Sequence, residues 1–335
     1  MKIKRIIYVV YYFKKLNWSL IDKFIEYATK TTKESKVKTW FNVILDAYKY
    51  NISLLEYFQF KFYKKTHLEK LKWAGTGFMY EYQLKMNPPK VRNILDDKWL
   101  FYQSYKNYFT HKIYSLEEIK ANNSIIDNLL SGSHEKLVFK GSHGKCGSEV
   151  KVVNTSELNP KTFIDFMIDN NFDIIEEFIY QHHKLNELSP SAVNTVRIFT
   201  QLDHKGMVHL LGCRLRISVN SPIDNLAAGN LAAPIDDISG EITGPAIYSD
   251  ITKEEVYFHP ITKVEILGFQ VPFWSEIISL VKSAALQHPQ NKSIGWDVAI
   301  TKDGPSLIEG NHDWCKLLWQ LPVQQGLKPV LELYL

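Results

Sequence analysis

The sequence predicts an α+β protein of two lobes, preceded by an α-helical N-terminal domain. Three observations carry this reading. From Ser19 to about Tyr82 apolar residues recur at three- and four-residue spacing, with no proline before Pro88. The run Asn87-Pro88-Pro89 then breaks the pattern. Beyond it, β-branched runs and helical segments intermix without regular βαβ repetition, as in an α+β rather than an α/β chain. The expected division is a helical domain over 1–85 and a two-lobed domain over 86–335, with 110–180 as the smaller lobe.

The elements follow in order. Leu20, Phe24 and Tyr27 share one helical face, as do Trp40, Ile44 and Ala47, so three or four helices are expected before Asn87. Asp97–Tyr108 reads as a helix, and Leu116–Asn122 as another, begun by Ser115 with Glu118 completing a capping box. Leu137–Phe139 is a short strand entering a glycine-rich loop, and Val150–Val153 is the returning strand. Pro160–Asn170 is helical, Asp173–Tyr180 is a strand, and Tyr180–Ser189 is a polar loop. Strands are expected over Asn194–Leu202, Met207–Val219 and Val256–Phe258, and a helix over Val271–His288. Ser293–Thr301 and Ser306–Glu309 form a hairpin turned by Lys302-Asp303-Gly304-Pro305.

Composition bounds the class. The 335 residues are 45% hydrophobic and 23% charged, ordinary for a globular chain with a substantial core. Cys146, Cys213 and Cys315 share no metal-ligand spacing and are too few for a disulfide framework, so a cytoplasmic setting fits. The longest early apolar run, Ile6–Phe13, is too short to span a bilayer and is cut off by Lys14-Lys15, so neither a span nor a cleaved leader is expected. The net charge of +4 conceals an asymmetry: residues 1–72 hold 16 Lys/Arg against 6 Asp/Glu. This basic, aromatic-rich part suits an anionic membrane face, a phosphate-rich partner or a solvated lysine surface. No nucleic-acid partner is expected.

Two motifs carry chemistry. In Lys140-Gly-Ser-His-Gly-Lys-Cys-Gly147 a strand delivers Lys140, after which Gly141, Gly144 and Gly147 let backbone N–H groups approach an anion, with Ser142 and Lys145 in the same loop. The loop lacks the GxxxxGK[ST] pattern and lies between two strands, so a glycine-rich hairpin folding over phosphates fits better than a P-loop. The second motif is Gly295-Trp-Asp297 with Leu307-Ile-Glu309-Gly-Asn311. Alternation points Glu309 and Asn311 the same way, and Asp297 sits on the partner strand. Two carboxylates and an amide oxygen suit a hard cation such as Mg²⁺. A third stretch, Glu176-Glu177-Phe178-Ile179, is a strand end able to offer backbone groups to a planar base.

In this order the motifs resemble the ATP-grasp superfamily, most closely the sugar-transfer-associated group of bacterial surface-polysaccharide clusters. The stretches that carry the resemblance are Asp96–Tyr105, Leu137–Val153, Glu176–His182, Asn194–Thr200, Cys213–Asn230 and Ile294–Asn311. The resemblance implies ATP and Mg²⁺ as cofactors. Lys98 and Lys140 would contact phosphates, Gly141–Gly147 would be the phosphate lid, and Glu176–Ile179 the adenine hinge with Glu187 on the ribose. Asp297, Glu309 and Asn311 would hold Mg²⁺. It also implies a carboxylate–amine ligase acting through an acylphosphate, with a uronic acid or related sugar carboxylate amidated by an amino acid in capsule or O-antigen biosynthesis. Two departures stand out: residues 1–85 look helical where such ligases begin with a βαβ-type domain, and Gly295 stands where many members carry a basic residue. Arg197, Arg214 or Arg216 would then stabilise developing charge, and alternation places Arg214 and Arg216 on one face. Asn194, Asp224, Asn225, His183 and His312 are candidate substrate contacts. A non-catalytic nucleotide-binding or scaffold protein of a glycan-assembly complex and an ATP-dependent phosphotransferase are the competing readings, and peripheral contact with the inner membrane or glycan-assembly proteins is a further expectation.

Overall fold

A computed structural model describes residues 2–14, 16–131, 134–142 and 150–335. The N-terminal part is helical: α1 (Lys2–Lys14), α2 (Trp18–Thr32), α3 (Lys36–Tyr50), α4 (Leu54–Gln59), α5 (His67–Leu71) and α6 (Thr76–Met86). Side-chain oxygens of Asn17, Ser35, Ser53 and Thr66 cap four of these helices, which explains why the region divides into more and shorter helices than periodicity alone suggests. Phe24, Tyr57, Phe58, Phe60 and Trp73 form their core, which continues into Trp314, Trp319 and Leu331 near the C-terminus.

Asn87, fully buried, donates from Nδ2 to the carbonyls of Ser293 (2.6 Å) and His312 (3.0 Å), so the break before the prolines is bonded to the central sheet. Next come α7 (Asn93–Asp96) and α8 (Lys98–Tyr105), the latter capped by Asp97 accepting from Leu100 N–H at 2.9 Å. The small lobe comprises β1 (Ile113–Ser115), α9 (Leu116–Ala121), α10 (Ser124–Ser131), β2 (Lys136–Lys140), β3 (Val150–Asn154), α11 (Phe163–Asp169) and β4 (Ile174–Glu177). The Ser115–Glu118 capping box forms as expected. Its strands pair antiparallel in the order β1-β4-β2-β3, over a separate core that includes Phe139, Phe163, Met167 and Ile175.

The chain continues through α12 (His183–Leu188), β5 (Thr195–Leu202), β6 (Val208–Ile217), β7 (Leu231–Ile235), α13 (Trp274–Gln287), β8 (Ser293–Thr301), β9 (Gly304–Asn311), α14 (Lys316–Gln320) and α15 (Lys328–Glu332). Five antiparallel strands follow the order β7-β6-β5-β8-β9. Val196, Ile198, Leu215, Trp296 and Val298 line the face packed under α13, while alternation sends Arg197, Arg214, Arg216 and Asp297 to the other face.

Two expectations change. Tyr180–Ser189 holds α12 rather than a polar loop, because Leu185 and Leu188 bury one face of two short turns. Val256–Phe258 makes isolated bridges, to Ala246 and Glu265, rather than a strand.

Candidate functional site

The central sheet aligns the acidic motif. Asp297 on β8 lies opposite Glu309 on β9 and opposite Arg197 on β5, and Arg197 lies opposite Arg214 on β6. Gly295 pairs with Asn311, one row along on the same face. The expected meeting of Asp297, Glu309 and Asn311 is therefore present as cross-strand neighbours.

Asp297 is buried and accepts from three nitrogens of two guanidinium groups. Arg197 reaches it from Nε and, at 2.8 Å, from Nη2; Arg216 Nη1 donates at 2.7 Å. Burial alone would raise this carboxyl, but the two arginines outweigh it and hold the pKa well below the usual range. Arg216 also meets Asp224 through Nη2 at 2.6 Å. Asp224 further accepts from Thr195 N–H (2.8 Å) and Oγ1 (2.6 Å), so its carboxylate is committed to the scaffold rather than presented to a substrate.

Glu309 is half-buried and accepts a hydrogen bond from Asn311 Nδ2 at 3.1 Å. Burial and then the Asp297 charge raise its pKa. Among the described residues, two arginines thus face three carboxylates, Asp224, Asp297 and Glu309, and one negative charge is unmatched at the Glu309 end. A hard divalent cation fits that end, with Glu309, the Asn311 amide oxygen and Asp297 as donors. Among the described residues no cluster of three or more His, Cys, Asp or Glu side chains forms a metal site of protein ligands alone, so oxygens from a polyanion would complete the shell.

The small lobe supplies the opposite charge. Lys140 reaches Glu176 at 2.5 Å across the β2–β4 pair. This pairs Glu176, at the strand end, with Lys140. Lys98, at the start of α8, donates to the carbonyls of Gly141 (3.0 Å) and Ser142 (3.4 Å), and Asp173 holds Ser142 through its N–H and hydroxyl. The two lysines thereby flank the start of the glycine loop; Gly144, Lys145 and Gly147 lie outside the described residues. Glu177 accepts from Lys112 N–H (2.9 Å) and meets His134 (3.3 Å), and the Phe178 ring lies 5.5 Å from Lys136 Nζ. Ile179 is half-buried just past β4, and Glu187 is exposed on α12.

Both connections between the lobes are fixed to the β8–β9 hairpin. Thr110 N–H and the His111 ring bond Ser306 Oγ at 2.9 and 3.2 Å, and His182 N–H donates to the Ile300 carbonyl at 2.7 Å. On β9, a Cβ at Gly310 would meet Phe101 Cε2 at 3.0 Å, so this glycine lets α8 settle on the strand that carries Glu309 and Asn311.

Other candidates lie apart. Arg214 shares the row of Arg197, yet its Nε and Nη2 donate to the Trp319 carbonyl (Nε at 3.1 Å) and Nη1 to Cys213 (2.7 Å). It has no carboxylate partner among the described residues, and burial lowers its pKa to about 10. Only Arg197 and Arg216, of the three arginines, reach the acidic cluster. Asn194 is fully buried and bonds Gln181, Ser189, Ala192 and Ser218. Asn225 caps a short turn through Ala227 N–H at 3.0 Å. His183 is exposed beside His182, and His312 Nε2 donates to Asp96 (2.9 Å) with a buried Nδ1 that has no partner among the described residues. Gly295 has a local cause: a Cβ there would lie 2.6 Å from Trp314 Cβ and 3.4 Å from Arg197 Cδ, so the Arg197 stem fills the space beside it. Thr195, which anchors Asp224, carried no signal in the sequence, because its partner returns through a loop.

No curated protein matches the sequence. Solved structures that match include the biotin carboxylase domain of 2-oxoglutarate carboxylase from Hydrogenobacter thermophilus, at 14% identity over 70% of this chain and 46% of that one, with a TM-score of 0.40. L-amino acid ligase from Bacillus licheniformis matches at 14% identity over 78% of this chain and 52% of that one, TM-score 0.39. A RimK domain ATP-grasp protein from Sphaerobacter thermophilus matches at 12% identity over 73% and 70%, TM-score 0.39. The chain spans about half the length of the first two. The model of one family, described as sugar-transfer associated ATP-grasp, matches residues 78–333, well over half of the sequence. The chain therefore belongs to the sugar-transfer associated ATP-grasp family, with a helical region ahead of its ATP-grasp fold.

Proposed function

We propose that this protein is an ATP- and Mg²⁺-dependent ligase that joins a carboxylate to an amine through an acylphosphate, with a sugar carboxylate such as a uronic acid and an amino acid as the pair. The observation that carries the reading is the charge arrangement: an unmatched carboxylate at Glu309 on one side, and Lys98 and Lys140 beside a glycine loop on the other. A cation with a polyphosphate matches both. We assign residues 86–335 to the ATP-grasp unit, 110–180 to its lid lobe and 1–85 to a helical accessory domain.

In this reading the side chains act mainly by position and charge. Lys98 and Lys140 hold phosphate oxygens under the loop that begins at Gly141, with Lys140 exchanging its Glu176 partner for a phosphate. Glu309, Asn311 and Asp297 would hold Mg²⁺, which when bound neutralises phosphate charge. The γ-phosphoryl group passes to the substrate carboxylate, giving an acylphosphate and ADP; attack by the amine forms the amide and expels phosphate. That attack builds an oxyanion. Arg197 Nη1 bonds nothing else among the described residues and lies in the same cluster, so it is the donor suited to that oxygen.

Incubation with ATP, Mg²⁺, a panel of uronates and hydroxylamine tests the reading. Formation of a hydroxamate with ADP supports it. A stable phosphorylated product instead marks a phosphotransferase, and absence of nucleotide binding in calorimetry marks a scaffold. Polysaccharide assembly on the cytoplasmic face of the inner membrane is the setting we propose; no helix among the described residues is long and apolar enough to cross a membrane.

A further inference from the structure

We propose that the outward faces of α1 and α3 form a docking surface for an anionic lipid bilayer. The starting observation is that α3 is apolar on both sides. Its inner face buries Thr39, Val43, Asp46 and Ala47. Its outer face carries Val37, Phe41 and Ile44 at positions i, i+4 and i+7, with Leu45 beside them, exposed by 80%, 65%, 42% and 47% respectively. A helix on a water-facing surface normally turns polar residues outward.

α1 lies beside α3 and runs antiparallel to it. Arg5 near its start donates to the Lys49 carbonyl at 3.0 Å, and Phe13 near its end stacks on Trp40 at 6.4 Å. This helix too turns Ile7, Val10 and Tyr11 outward, and Trp18, in contact with Phe13 and Trp40, is exposed at the start of α2. Two neighbouring helices thus present aliphatic and aromatic groups to solvent.

The charge around them selects the occupant. The segments 2–14 and 36–50 contain seven Lys/Arg (Lys2, Lys4, Arg5, Lys14, Lys36, Lys38, Lys49) and one acidic residue, Asp46. Asp46 is buried and bonded to Lys70 at 2.7 Å. Lys38 and Lys36 are answered by Glu34 (2.7 Å) and Glu26 (3.4 Å), whereas Arg5, Lys14 and Lys49 have no carboxylate partner among the described residues. A second copy of the chain packed on this face by two-fold symmetry would oppose the same basic groups to one another. A bilayer offers an apolar layer beneath a negative surface, which matches aromatic and aliphatic groups flanked by lysines.

The inference stands apart from the ligase reading, and nucleotide binding measured on the same samples keeps the two distinguishable. The test is co-sedimentation of the full chain with vesicles of phosphatidylcholine alone or with about 30 mol% phosphatidylglycerol. Binding is expected with the anionic vesicles only, and it should fall steeply towards about 0.5 M salt as the screening length shrinks. Phe41→Glu with Ile44→Glu should weaken it by about tenfold or more, because both side chains would have to enter the interface. Lys14→Gln and Lys49→Gln should each weaken it by about fivefold. These positions are exposed, so nucleotide affinity and far-UV circular dichroism should stay unchanged. The proposal is overturned if the full chain ignores anionic vesicles, binds neutral ones equally, or binds undiminished with both glutamates present. It is also overturned if sedimentation without lipid shows a dimer that Phe41→Glu abolishes, which would make this face a self-interface.

Discussion

Replacing Arg216 with methionine removes a cation that two buried carboxylates share, at 2.6 Å from Asp224 and 2.7 Å from Asp297. The losses are unequal. Asp297 keeps Arg197, whereas Asp224 keeps, among the described residues, only the N–H and hydroxyl of Thr195. Removing one partner of a buried ion pair costs about 3–5 kcal/mol, most of it the uncompensated charge left behind. With a urea slope of about 3 kcal/mol per M, the unfolding midpoint should drop by about 1–1.7 M. Adding Asp224→Asn removes the stranded charge, so the double variant should be less destabilised than the sum of the singles by about 1–2 kcal/mol. Arg214→Met is the contrast: it uncovers no carboxylate, only the carbonyls of Trp319 and Cys213, and should cost about 1–3 kcal/mol. Tryptophan fluorescence in urea reads the wild type and the four variants, Asp224→Asn alone included. A drop below about 0.3 M for Arg216→Met, or additivity within about 0.5 kcal/mol in the double variant, would refute the bridging role.

Glu309→Gln should weaken Mg²⁺-dependent nucleotide binding by at least about tenfold in calorimetry while leaving the midpoint of unfolding within about 1 kcal/mol, since it removes a metal donor and an unmatched charge together. Because burial and Asp297 raise the Glu309 pKa, protons compete with the cation above the ordinary glutamate range, and wild-type Mg²⁺ affinity should rise with pH through that region. Gly295→Ala would set a Cβ 2.6 Å from Trp314 and should lower stability by about 1–3 kcal/mol, read as a drop in Tm; an unchanged Tm would contradict the close packing. Asp203 accepts from His209 at 2.8 Å and from Met207 and Lys205 N–H groups, which hold its pKa at about 2 against an ordinary 3.8. Its stabilising effect is present above the unfolded value and is lost as pH falls from about 4 to 2, so Asp203→Asn should flatten that part of the Tm–pH curve.

Local signals in the sequence were reliable where the structure is locally determined. The Ser115–Glu118 box, the β8–β9 hairpin and the two-residue spacing of Glu309 and Asn311 need only neighbours to form. Failures occurred where distant contacts decide. α12 has little periodicity to show in six residues and exists because Leu185 and Leu188 find a core, while Val256–Phe258 has strand-like residues but no long partner. The helical N-terminal region was legible as helical, but not as sharing one core with Trp314 and Trp319 from the other end of the chain.

The arginines show the limit of alternation most clearly. Parity correctly sends Arg197, Arg214 and Arg216 to one face, but parity fixes where a Cβ points, not where a long side chain ends. Arg214 is drawn away by the carbonyl of Trp319, 105 residues later, because β6 passes beside α14 there. Arg216 stays in the row because a loop carries Asp224 back to it. Arg197 gains its place from an absence: with no side chain at Gly295, Trp314 and the Arg197 stem occupy that volume, and the guanidinium is left facing Asp297.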